Sequence, residues 1–211
     1  MPITTTIRRR FLPTTGLAAT LVIVVSACTP DNAAPSTPWV ATPTTSTHSA
    51  APTSPKSQAS DYSHLLLQAQ DISIPPNTFS ARSSNVNPDG QSGASALFVN
   101  ADDTMAILDT ILIYPDADTA TATLKKASES LDTMVTGGQP EPAPVGLGGT
   151  VISGTSPDGA KAVTLLLYTQ GRALVRLEFD STPGDPMSPQ IVTGVGRMQQ
   201  IALRVGLPER E

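Results

Sequence analysis

One thiol, two imidazoles and scattered carboxylates are the side chains of this 211-residue sequence that could carry chemistry. The thiol, Cys28, is the only cysteine, so neither an intramolecular disulfide nor a CxxC zinc site can form. It closes the run Val25-Ser26-Ala27-Cys28, after an apolar stretch and ahead of a proline-rich tract. The thiolate is the good nucleophile among small side chains. Its neighbours Ser26, Ala27, Thr29 and Pro30 offer little core to bury it in. An inert packed cysteine therefore suits this position poorly.

The other candidates fall short of an active site. His48 sits in a polar tract with no second ligand nearby, which leaves it a solvated side chain rather than a metal ligand. His64 would have to serve any Ser-His-Asp arrangement, yet no GxSxG elbow exists to present a serine. The segment Gly154-Thr155-Ser156-Pro157-Asp158-Gly159 has one residue too many before its last glycine and reads as a hairpin turn. Asn85-Val86-Asn87-Pro88-Asp89-Gly90 imitates the first half of a calcium loop, but Ala96 stands where the bidentate Glu belongs. Asp102-Asp103 are adjacent, and Glu178 and Asp180 alternate on a strand, whereas glycosidase pairs face each other across a cleft. Gly146-Leu147-Gly148-Gly149 lacks the Lys-Ser/Thr of a phosphate loop and reads as a bend entering a strand. The expectation is a chain with no catalytic residues, no metal site and no cofactor.

The elements before Cys28 read as an export signal. Arg8-Arg9-Arg10 supply a positive n-region, and residues 16–25 supply an h-region followed by small residues. Its roughly ten apolar residues are half of the ~20 that a spanning helix needs. In that setting Val25-Ser26-Ala27-Cys28 resembles the lipobox of bacterial lipoproteins. The resemblance implies cleavage between Ala27 and Cys28, a thioether-linked diacylglycerol on Cys28, and acylation of the new α-amine. Each buried methylene is worth about 0.8 kcal/mol, so two or three chains make a stable anchor. Arg8-Arg9-Arg10-Phe11-Leu12 is also similar to the twin-arginine export motif, departing from it at Ile7 and Pro13. General secretory and twin-arginine export both stay open.

Charge narrows the partners. Arg8, Arg9 and Arg10 are the only charged residues before Cys28, so a net charge of −5 becomes −8 in a chain beginning there. Such a chain lacks the clustered cations that nucleic-acid binding requires. It equally lacks a polybasic membrane patch. Membrane attachment would thus run through the lipid anchor.

Residues 1–27 form the signal peptide in this reading, 28–60 the lipidated cysteine and its tether, and 61–208 one globular domain. The tether is Thr, Ser, Ala and Pro with Trp39 as its one large side chain, too poor in apolar area to offset chain ordering. At roughly 3 Å per residue it would reach up to about 90 Å. Thr42-Pro43-Thr44-Thr45-Ser46-Thr47 has the composition of O-glycosylated stalks. The tract resembles those of mycobacterial envelope lipoproteins, often mannosylated at such sites.

The globular segment predicts helix, three strands, helix, three strands, helix. A short helix is expected over 61–71, with Leu65, Leu66 and Ala69 on one side. Strands follow at 79–83, 94–99 and 106–114. Asp116 caps a helix whose stripe is Ala117, Ala120, Leu124, Ala127, Leu131 and Met134, stopped by Gly137-Gly138. Strands at 150–155, 161–169 and 172–180 are joined by Pro157-Asp158-Gly159 and Gln170-Gly171. Ser188-Pro189 opens the last helix, with a stripe of Ile191, Val195, Met198, Ala202 and Val205. Residues 107–113 and 163–167 are apolar on both faces, so they are expected as central strands, and 172–180 as a half-exposed last strand.

Tight turns make the strands antiparallel, so the fold class is α+β: about six strands with helices packed on them. This order resembles the LpqN-type mycobacterial lipoproteins and the PsbP-like fold assigned to them. The stretches 113–124 and 145–179 also resemble extracellular sensor-type domains of actinobacterial envelope proteins. The function expected is a non-catalytic binding domain on a membrane tether, for a protein partner or an envelope lipid or glycan. The alternative is an envelope hydrolase with unrecognised residues. A ligand cavity would require the long helices to splay from strands bearing Ile111, Ile113, Leu165, Leu167, Val175 and Leu177. Close packing would instead seal that contact into a dry core.

Overall fold

The computed structural model describes residues 60–208. The signal segment, Ala27, Cys28 and the tract carrying Trp39 and His48 lie outside the described residues. Among the described residues no helix is long and apolar enough to cross a membrane.

Seven strands form one antiparallel sheet. In chain order they are β1 (Phe79–Val86), β2 (Gly93–Asn100), β3 (Ala106–Ile113), β4 (Glu141–Pro142), β5 (Leu147–Thr155), β6 (Ala162–Gln170) and β7 (Ala173–Ser181). Their order across the sheet is β1-β2-β3-β7-β6-β5-β4. The chain lays down three strands as a meander, crosses one face, then returns from the far edge to pair β7 with β3. Helices α1 (Ala69–Ile72), α2 (Ala117–Ser128) and α3 (Pro189–Gly206) complete the fold. Helix α3 and a strap over 63–72 cover one face, burying Phe98, Ile111, Val175, Leu177 and Phe179. Helix α2 covers part of the other, against Leu165, Leu167 and Ile152.

The strand count corrects the expectation of about six. Strand β4 adds a two-residue pairing, Glu141 and Pro142 against Val151 and Thr150, too short to give a periodic pattern. β7 is central rather than peripheral, and Arg176, Glu178 and Asp180 stay half-buried there because α2 shields only one end of that face.

The first helix is also corrected. Ser63–Leu65 is a single 3-10 turn, Leu66 and Gln68 are extended, and only Ala69–Ile72 is helical. Leu65 and Leu67 are both buried, an i, i+2 spacing that an extended strap satisfies and a helix does not. The polar groups beneath are arranged for that backbone. Gln199 Nε2 donates to the Leu65 carbonyl at 2.8 Å, and the Leu67 N–H donates to Asp109 Oδ2 at 3.3 Å.

Asp116 caps α2, its Oδ1 accepting from the Thr119 N–H at 2.7 Å. The helix ends at Ser128 and not at Gly137-Gly138. The hydroxyls of Ser128 and Ser130 bond to the carbonyls of Leu124 and Ala127, competing with the helical ladder just where it stops. A 3-10 turn, Leu131–Thr133, continues the path and buries Leu131.

Ser188 and Pro189 open α3, but its buried face is Val192, Val195, Gly196, Gln199 and Leu203. Val205, placed on the core stripe by hydropathy, is 82% exposed. The face is rotated because Gly196 and Gln199 belong to it. A Cβ on Gly196 would come 2.5 Å from Leu166 Cδ2, so glycine lets α3 approach β6. There the Tyr168 hydroxyl donates to the Gly196 carbonyl at 2.9 Å.

Candidate functional site

Beneath α3 the residues Ile111, Val175 and Leu177 are buried, and a cavity of about 250 Å³ opens where the start of α3 meets β5 and β6, lined by Val151, Leu166, Met187 and Val192. On the opposite face Leu165 is buried too, and a cavity of about 300 Å³ lies at the open end of α2. Its floor follows from sheet register. Leu112 of β3 pairs with Leu174 of β7, while Thr110 and Leu167 flank Arg176 on either side. Ala127 and Met134 form the roof, and Pro88 and Asp89 of the β1–β2 turn form one wall. Asn87 and Asp89 in that turn both have φ of 53°, a left-handed conformation that Asn and Asp tolerate better than most residues.

Why α2 leaves this space is local. After Ser128 the helix gives way to the 3-10 turn Leu131–Thr133, and Ala127, Ser130 and Met134 border the cavity where it does so. The floor sets Leu112, Leu167 and Leu174 beside the Thr110 hydroxyl and the Arg176 guanidinium, with Tyr114 at its edge. Arg176 pairs through Nη2 with Glu178, and its buried Nε has no partner. The methionine thioether supplies an adaptable surface. Volume and lining match the small end of ligand sites, which pair an apolar wall with few convergent polar groups.

Reactive groups do not converge there. No His or Cys lines the cavity. The hydroxyls of Thr123 and Ser130 donate to the carbonyls of Thr119 and Ala127, and no imidazole lines the cavity to act as their base. His64 stands exposed on the 3-10 turn of the strap, on the α3 side of the sheet. Asp102 and Asp103 lie in the β2–β3 turn, where Asp103 binds Arg82 at 2.6 Å. Glu178 is tied to Arg176 and Asp180 to Lys161, the latter at 2.7 Å. Among the described residues no three His, Cys, Asp or Glu side chains cluster to hold a metal.

One acid is buried outright. Asp109 of β3 is fully enclosed on the α3 side, and burial pushes its carboxyl up to about 7, against the Leu67 N–H, which lowers it. Oδ1 has no partner, and neither has Oε1 of the equally buried Gln199. The expectation that 107–113 is apolar on both faces fails at this residue. Its signal was an aspartate inside a strand of Ile and Leu.

No protein-family model matches the sequence, and no curated protein matches it. Among solved structures, the chain is similar to the crystal structure of the extracellular domain of PknH from Mycobacterium tuberculosis. The identity is 7% and the TM-score 0.49, covering 69% of this chain and 99% of that one.

Proposed function

We propose that the chain is a cell-envelope lipoprotein, tethered through Cys28 to the outer face of the cell membrane, whose domain binds an amphiphile rather than transforming it. The observation that carries the binding half is the α2-side cavity: a largely apolar floor and roof, with the Arg176 guanidinium set into the floor. An apolar chain would lie along Leu112, Leu167 and Leu174, and an anionic or polar head would meet Arg176. Such a ligand is available at a membrane, where the lipobox reading places the domain. The PsbP-like arrangement suggested by resemblance to LpqN-type lipoproteins belongs to the same proposal and rests on the order of helices and strands.

The full chain, incubated with a lipid extract of bacterial envelopes and repurified, should retain lipid identifiable by mass spectrometry. The same preparation should show no turnover of ester or glycoside substrates. Saturable hydrolysis lost on His64→Ala, or on changing any single acidic residue, would replace binding with catalysis.

A further inference from the structure

Arg172 follows the Gln170-Gly171 turn between β6 and β7 and is only 9% exposed. It is the one cationic residue among the buried polar side chains of the described region. A buried guanidinium ordinarily stands against a carboxylate, because an uncompensated buried charge is strongly destabilising. None of the ion pairs among the described residues includes Arg172. Nη1 donates to the Tyr114 carbonyl at 3.3 Å, and Nε has no partner.

The side chain lines another cavity, of about 270 Å³, bounded by the start of α2, the β6–β7 turn and the end of α3. Arg204, in the last turn of α3 and in no ion pair among the described residues, lines it from the solvent side. Gln170 adds a donor: its Oε1 accepts from Gln200 Nε2 at 3.2 Å, which leaves its own amide hydrogens uncommitted. Among the described residues the one acid on the wall is Asp116, whose carboxylate already caps α2. Burial alone would push the Tyr62 phenol up, yet Ser60 and the Arg172 guanidinium hold it below its ordinary value.

We propose that this cavity binds an oxyanion, a carboxylate or phosphate group, with Arg172 as its buried partner and Arg204 as its outer one. The guanidinium fork matches either group better than a point charge would. Free anion and lipid headgroup share this chemistry. The site is separate from the α2-side cavity and does not depend on it.

The test uses the full chain and amide chemical shifts. Sodium phosphate and sodium acetate are titrated against sodium chloride at matched ionic strength, following Ala117, Gly171 and Arg172. Saturable shifts with phosphate or acetate, absent with chloride, are expected. Arg204→Gln lies on the surface and should weaken them about threefold, as for one exposed charge. Arg172→Lys keeps the charge but loses the fork and should weaken them further. Vesicles of phosphatidylglycerol that compete with phosphate would identify a headgroup as the source, and vesicles that do not would identify the free anion. Shifts that fail to saturate, or that are equal in the wild type and Arg204→Gln, overturn the proposal. Amphiphile binding in the other cavity should be unchanged by Arg204→Gln, so failure of one site is distinguishable from failure of the other.

Discussion

The Leu67 backbone N–H donates to Asp109 Oδ2 at 3.3 Å, the single hydrogen bond this enclosed carboxylate receives. Two residues earlier, Gln199 grips the Leu65 carbonyl. The strap is thus held to β3 and α3 by two buried polar groups, one of which titrates. Among the described residues no cation acts on Asp109. The titratable group nearest in effect is Tyr168, whose phenol is pushed up by burial and by the Asp109 charge.

Stability should therefore depend on pH in a definite direction. The Asp109 carboxyl is raised from 3.8 to about 7 in the folded protein, so the folded state holds its proton more tightly than the unfolded one. Its contribution is fully present below about pH 4 and is lost as pH rises through about 7, on the order of 4 kcal/mol in all. Asp109→Asn removes this slope and should be the more stable form at pH 8. Urea unfolding of both proteins at pH 5 and pH 8 checks it. A wild type whose midpoint is unchanged over that range would contradict it.

The contact between α3 and β6 should be intolerant of small changes. Tyr168→Phe removes the hydrogen bond to the Gly196 carbonyl and should destabilise by about 1 kcal/mol. Gly196→Ala drives a methyl against Leu166 and should cost about 1–3 kcal/mol by overpacking. Denaturant midpoints read both. Equal stability of Gly196→Ala and wild type would show that α3 can shift freely.

What could be read from the sequence was what local chemistry decides. The Asp116 and Ser188 caps and the turns at Pro157-Asp158-Gly159 and Gln170-Gly171 lie where they were expected, because each is settled by a few adjacent residues. The strap departs from the expected helix because its form is set from below, by Asp109 and Gln199, residues 42 and 134 positions away. The α3 face is rotated from the expected stripe because Gly196 and Gln199 are buried for fit and hydrogen bonding, which hydropathy does not score. The cavity depended on where α2 stops and on β7 being central, and pairing β3 with β7 is a long-range event with no local signature. Arg176 joins the floor only because β7 lies between β3 and β6.

Cys28→Ala should abolish acylation and release the protein from the detergent phase. Mass spectrometry of the mature wild-type N-terminus checks this directly. An unmodified Cys28 there would remove the lipoprotein reading. Limited proteolysis should trim residues 29–60 and leave a resistant core beginning near Asp61, whereas protection around Trp39 in unglycosylated protein would contradict the tether.

The central claim is that the cavity under the end of α2 holds an amphiphile. Calorimetric titration of the full chain with decanoate and with decanol, for wild type, Ala127→Phe and Arg176→Gln, tests it most directly. Ala127 is half-buried at the roof, so phenylalanine there should fill the space and abolish binding of both ligands while the unfolding free energy stays within about 1 kcal/mol of wild type. Arg176→Gln should weaken decanoate several-fold and leave decanol nearly unchanged, since only the carboxylate meets the guanidinium. Binding of both ligands that persists unaltered in Ala127→Phe, or no binding by the wild type, would contradict the account.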